Sequence, residues 1–164
     1  MALAGAFFFV LASSASASLA PSARKATLPA PVELGFAVPL QGPLESGFGQ
    51  RWGRLHAGLD IGALSDDRVR APLAGVVTTV GWSDLYWGYG NVVRLKHGDG
   101  LATLYAHLAS IAVQKGDEVE RGALLGRAGC TGSCTGQHLH FEVHVDGVPV
   151  DPLPYLEGQI VPRG

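Results

Sequence analysis

The stretch His138-Leu139-His140-Phe141-Glu142-Val143-His144-Val145 alternates without a break and ends at the turn pair Asp146-Gly147. Strand side chains repeat with period two. His138, His140, Glu142 and His144 therefore take one face, and Leu139, Phe141, Val143 and Val145 take the other. The apolar face is suited to pack on a core. The opposite face presents imidazoles two residues apart, close enough to serve one site.

Working outward, other short runs read the same way. Asn91 to His97 ends at Gly98-Asp99-Gly100, and Leu101 to His107 returns, which is a hairpin pattern. Val76 to Val80 is β-branched throughout and follows Pro72 and Gly75. Val119 and Leu124-Leu125-Gly126 are weaker strand candidates, and Ala109 to Gln114 shows no helical apolar period. With 23 Gly and 10 Pro, the chain is expected to be all-β and mostly antiparallel. Its 164 residues allow one domain with a sizeable core. The formal net charge is -2 and no Lys/Arg run is present, so nucleic acid is not an expected partner.

The N-terminus has the pattern of a secretory signal. Ala2 to Ala12 is uncharged and carries Phe7, Phe8, Phe9, Val10 and Leu11. A bilayer span needs about 20 residues, so this run is too short. Small residues follow, with cleavage-type triplets ending at Ala17 and Ala20. No Lys or Arg precedes the apolar run, which departs from the usual signal; the competing reading is a buried apolar helix. The expected organisation is a signal over 1–20, a linker over 21–33, one domain over 34–157 and a loose tail over 158–164. A secreted or periplasmic protein with no stable membrane insertion after cleavage follows from that reading; the oligomeric state stays open, with a monomer favoured. Cys130 and Cys134 flank Thr131-Gly132-Ser133. A small-loop disulfide is favoured over a metal pair, because two cysteines cannot build a four-thiolate site.

Two further segments bring histidine to a polar face. If Leu55 to Gly62 is extended, Leu55, Ala57, Leu59 and Ile61 alternate with His56, Gly58, Asp60 and Gly62. His56 and Asp60 then share a face, and a helical reading would also bring them together. In the hairpin, Thr103, Tyr105 and His107 share one face and Leu104, Ala106 and Leu108 the other, so His107 points away from an apolar layer. A single strand histidine is usually a solvated residue, but three segments converge here. Imidazole and carboxylate are ordinary zinc ligands, and a catalytic zinc keeps three protein ligands and one open position. A His, an Asp and a second His would fill the three, and the remaining imidazoles could move protons. A closed structural site made of His56, Asp60, His138 and His140 fits the spacing as well.

Four motifs together carry a resemblance. Ser46-Gly47-Phe48-Gly49-Gln50-Arg51, His56-Ala57-Gly58-Leu59-Asp60, Tyr105-Ala106-His107-Leu108 and Gly136-Gln137-His138-Leu139-His140-Phe141-Glu142 resemble the lysostaphin/LytM-type zinc endopeptidases, over about Gly42 to Pro152. The resemblance implies one zinc per chain, held by His56, Asp60 and His140. It implies that His107 and His138 act at the reaction centre, orienting or activating water and stabilising the tetrahedral intermediate. The implied substrate is peptidoglycan, cut in its cross-links or stem peptides. The implied fold is a compact antiparallel sheet or sandwich with a substrate groove, related to the lipoyl and biotinyl barrel-sandwich hybrid; Lys115 to Gly126 is similar to a hairpin of those domains. The chain departs from the family at Ser65-Asp66-Asp67-Arg68-Val69, where a local change of turn is expected, and at Cys134, where Ser is common. His144 is expected at the surface. Trp82, Tyr86, Trp87 and Tyr89 are expected to shape the groove. A zinc-binding, non-catalytic regulator of other wall hydrolases is the alternative, and a lipoyl-type carrier is a weaker one, lacking a lysine at a suitable hairpin tip.

Overall fold

A computed structural model describes residues 34–83, 88–156 and 160. The expected signal and linker, most of the tail, and Tyr86 and Trp87 lie outside those residues. Among the described residues there are thirteen strands and no α-helix. The main sheet runs in the order β1 (Leu44–Ser46), β4 (Leu59–Gly62), β12 (His138–Val145), β8 (Leu101–Ala106), β7 (Asn91–Gly98), β6 (Gly75–Trp82) and β10 (Glu118–Val119). Every pairing in it is antiparallel. The expected all-β, mostly antiparallel class is the observed one.

β12 organises the sheet because its alternation serves both faces and its length serves both edges. β8 runs along one edge, from His140 opposite Ala106 to Val145 opposite Leu101. On the other edge, β4 pairs with His138 to Phe141, and β13 (Val148–Val150) folds back on Val143 to Val145. The apolar face of β12 carries Leu139, Phe141 and Val143, all fully buried among Leu59, Ile61, Leu95 and Tyr105. Tyr105 lies opposite Phe141, with ring centroids 5.5 Å apart. Its hydroxyl donates to Thr103 Oγ1 (2.8 Å), Thr103 donates to His97 Nε2 (2.8 Å), and His97 Nδ1 donates to Ala74 O (2.8 Å). That thread satisfies the polar groups inside the core and accounts for His97 as a structural histidine.

Two smaller pieces complete the fold. β5 (Arg68–Arg70), β11 (Leu124–Arg127) and β9 (Ser110–Ile111) form a three-stranded sheet. In the unusual turn before β5, Asp66 accepts from Arg68 and Asp67 pairs with Arg127. β2 (Gly49–Arg51) and β3 (Arg54–His56) form a separate hairpin. The segment Leu55 to Gly62 is therefore two strands in different sheets, and not one extended face. Leu55 is 46% exposed and does not join the core. The break falls at Gly58, where a Cβ would stand 2.2 Å from Phe141 O, so the chain turns while pressed against β12.

Candidate metal centre

His140 projects from the middle of β12, opposite Asp60 of β4, so strand register alone brings these two together. His140 Nδ1 lies 2.8 Å from Asp60 Oδ1. His56, at the end of β3, brings Nε2 to 3.0 Å from the same oxygen and 3.1 Å from His140 Nδ1. Among the described residues, His56, Asp60 and His140 form the group whose ligand atoms converge as a metal requires. Tetrahedral zinc with bonds of about 2.0–2.1 Å sets neighbouring ligand atoms roughly 3.3 Å apart, close to the distances observed.

The protons of this trio argue for a cation. His56 Nδ1 donates to Gly47 O (2.6 Å), and His140 Nε2 donates to Glu142 Oε1 (3.0 Å). Each imidazole has its N–H committed outward and turns its lone pair inward. Two lone pairs and a carboxylate oxygen within 3.1 Å of one another repel unless a cation or extra protons sit between them. Burial alone would raise the Asp60 carboxyl; with no metal between them, His140 and His56 donate to it only by carrying a second proton, and those bonds hold it far below the usual carboxylate range. Burial lowers the His140 imidazole, and its bonds to Asp60 and Glu142 outweigh that and raise it. Arg51 braces the other side of the carboxylate, with Nη2 3.3 Å from Asp60 Oδ2 and Nη1 2.6 Å from Ser46 Oγ. The residues fit a divalent ion with nitrogen and oxygen ligands.

Glu142 anchors the second layer. It is buried, and Tyr89 OH, His140 Nε2 and His144 Nε2 all donate to its carboxylate, the last at 2.5 Å. Burial would raise this carboxyl; the bonds from His140 and His144 overcome it and bring it down to about 2. His144 is thus not a surface residue. It is 8% exposed, because β13 and β8 flank its part of β12 and Glu142 takes its ring nitrogen. Tyr89 packs its ring 4.9 Å from that of His140. Period two placed His140, Glu142 and His144 on one face; the Tyr89 and Arg51 contacts join residues remote in sequence and carry no comparable signal.

His107 and His138 stand beside the trio. His138 Nδ1 donates to Gly136 O (2.8 Å), and its Nε2 lies 3.8 Å from Asp60 Oδ1, outside the tight group. His107 Nδ1 donates to Thr131 O (2.8 Å). The His107 ring centroid is 4.8 Å from that of His138 and 6.0 Å from that of His140. Both rings therefore leave Nε2 without a proton in the neutral form, and both residues line the space over the centre. Burial, the largest influence, lowers the His107 imidazole, and the Thr131 carbonyl opposes it.

The route by which His107 arrives differs from the period-two expectation. Ala106, opposite His140, is on the site face, whereas Tyr105 is on the core face. Strict alternation would send His107 into the core beside Tyr105. Instead β8 ends at Ala106 and His107 takes a φ of 60°, in the left-handed region, which turns its ring back to the site. A groove crosses the centre, walled on one side by Arg51, Trp52, Arg54 and Leu55 of the β2–β3 hairpin. Gly88, Tyr89 and the Ser133–Thr135 stretch form the opposite wall. Cys130 and Cys134 are joined as a disulfide, with Cα atoms 5.4 Å apart, in the pairing the spacing favoured.

A strand bearing a histidine on either side of Leu139, met by His56 from β3 and Asp60 from β4, defines a candidate metal centre on an antiparallel sheet. Residues 54–152 match Peptidase family M23, and the chain belongs to that family. The DD-carboxypeptidase/endopeptidase Mpg of Neisseria meningitidis is 43% identical over 100 residues, covering 61% of this chain and 22% of that protein. The chain thus spans about a fifth of that relative's length. The catalytic domain of the antimicrobial peptidase lysostaphin from Staphylococcus simulans superposes with a TM-score of 0.62 at 34% identity, covering 69% of this chain and 90% of that one. A zinc-containing peptidase from Vibrio cholerae superposes with a TM-score of 0.64 at 32% identity, covering 77% of this chain and 41% of that one.

Proposed function

We propose that this chain is a zinc-dependent endopeptidase of the cell envelope that hydrolyses peptide bonds in peptidoglycan cross-links or stem peptides. The observation that carries this reading is the set of inward lone pairs: His56 Nε2, Asp60 Oδ1 and His140 Nδ1 lie within 3.1 Å of one another, with two further imidazoles alongside. The peptidoglycan substrate is supported by relatives such as the peptidoglycan DD-endopeptidase ShyA of Vibrio cholerae, 47% identical over 64 residues that are 39% of this chain and 15% of that protein. His56, Asp60 and His140 would hold one zinc ion per chain. The chemistry such an ion supplies is a Lewis acid that polarises a carbonyl and activates water near neutral pH.

The chain's own residues do the rest. Glu142 fixes the His140 tautomer, and the Gly47 carbonyl fixes that of His56. Arg51 holds Asp60 in place. His138 and His107, each anchored through Nδ1, offer Nε2 to the reacting atoms. In the neutral form they accept a proton from the attacking water; once protonated they donate to the developing oxyanion and to the leaving amine. The open groove gives an extended peptide access to all five residues. We take residues 34–157 as the catalytic unit, exported behind the 1–20 segment.

The test is to incubate the chain with purified sacculi, with one sample stripped by chelator and another restored with zinc, and to identify released fragments by mass spectrometry. Cleavage at one type of peptide bond that depends on zinc is the expected result. Zinc retained with no cleavage of any wall would turn the reading to a binding regulator.

A further inference from the structure

We propose that the Cys130–Cys134 disulfide is a redox-sensitive modification site, whose closed form holds His107 in its reactive orientation. The inference rests on the role given to His107 above. The bond closes a loop of five residues, and Thr131 inside it is tied to His107 and its neighbours from several directions. Its carbonyl accepts from His107 Nδ1 (2.8 Å), and its N–H donates to His107 O (3.4 Å). Its hydroxyl accepts from Asn91 N–H (3.0 Å) and donates to Leu108 O (3.0 Å).

The far side of the loop locks onto the Gly88–Gly90 stretch. Ser133 N–H donates to Gly88 O (2.7 Å), and Tyr89 O accepts from His107 N–H (2.9 Å). No side chain fits between them. A Cβ on Gly90 would lie 2.4 Å from Thr131 C, and one on Gly132 would lie 2.4 Å from Gly88 O. His107 itself sits at φ 60°, a conformation a non-glycine residue keeps only when its surroundings enforce it.

Apart from these hydrogen bonds, regular sheet pairing does little to secure this loop. β11 ends at Arg127 and β12 begins at His138; between them, among the described residues, the ladder offers one isolated bridge, from Gly129 to His138. The carbonyls that orient both imidazoles, Thr131 O and Gly136 O, lie in this stretch. The disulfide is its covalent tie. A five-residue loop restrains only itself, so opening it acts locally and leaves the strands that carry His56, Asp60 and His140 intact. The bond is also reachable. Cys130 is exposed, and Cys134 is half-buried on the groove wall.

The reaction is thiol–disulfide exchange with a dithiol. One thiolate of the dithiol attacks a sulfur of the pair, the S–S bond breaks, and a mixed disulfide forms. The second thiol of the reductant resolves it. The chain gains two electrons and two protons as the Cys130 and Cys134 thiols, and the dithiol leaves as its own disulfide.

The test compares the zinc-loaded chain before and after reduction on an immobilised small dithiol, which is removed before assay. Turnover on sacculi is expected to fall about ten- to a hundredfold, the size of effect that a misplacement of about 1 Å gives. Bound zinc should be unchanged by mass spectrometry. Nitrogen NMR should show the His107 ring pass from a single Nδ1–H tautomer to a mixture. Reoxidation should restore both signals, and the Cys130→Ser/Cys134→Ser double variant should stay at the low rate and ignore the dithiol. Equal turnover with an unchanged His107 signature would overturn the proposal. So would loss of zinc on reduction, because it would assign the bond to the ligand frame. If the oxidised, zinc-loaded chain cuts nothing, the functional reading fails, and the His107 tautomer still decides this one.

Discussion

The two halves of the centre are built by different means. His140 and Asp60 face each other across a regular antiparallel ladder, and register puts their ligand atoms 2.8 Å apart. His107 sits just past a strand end, on a left-handed residue held by a loop that a disulfide closes. The ladder half draws its precision from strands whose other faces are buried in the core. The loop half draws it from a few hydrogen bonds and close backbone contacts. Two of the three proposed metal ligands thus stand on the rigid part, and the group proposed to gain and lose a proton stands where small adjustments cost less.

The sharpest way to break this contrast is His140→Ala. It should empty the site of zinc and take wall cleavage to background, as judged by metal analysis and fragment release. A variant that still bound zinc fully would remove the ladder half from the ligand frame. Next in size is His107→Ala, which should keep zinc and lower kcat by about 10²- to 10⁴-fold. If zinc were lost with His107, the two halves would not be separable.

Glu142→Gln sharpens the comparison inside the ladder half. The amide keeps the shape but weakens the grip on His140 Nε2, so zinc affinity should drop about 10- to 100-fold in a competition titration. An unchanged affinity would leave Glu142 with a packing role only. The smallest effect is in the pH profile. Burial lowers the His107 imidazole from its ordinary value, so the neutral, proton-accepting form persists into more acidic solution. Activity should then fall on the acid side only below the ordinary histidine range, and the acid limb should disappear from the residual activity of His107→Ala. A limb at or above that range would place the controlling proton elsewhere.

Much of the site was legible because period two is an exact consequence of strand geometry. The run from His138 to Val145 gave the core face and the site face together, and β12 is found as read. His144 shows the limit of that reading. The pattern put it on the correct face, but burial on that face depends on Tyr89, Glu142 and the flanking strands. The pairing of His56 with Asp60 was also anticipated, although by a continuous strand. The actual turn at Gly58 is set by the close approach of Phe141 O, a contact 83 positions away in sequence.

By itself, then, the sequence determined an all-β chain, its central strand and the cluster of imidazoles and carboxylate, and it favoured a pairing of two cysteines in one short loop that the structure then showed. These follow from local spacing, which residues carry with them wherever they fold. Tertiary structure alone decided that His107 turns out of the core, that Arg51 and Glu142 brace the ligands, and that Thr131 orients a histidine 24 positions away. Those contacts depend on which segments the folded sheet brings side by side, and no local period encodes that.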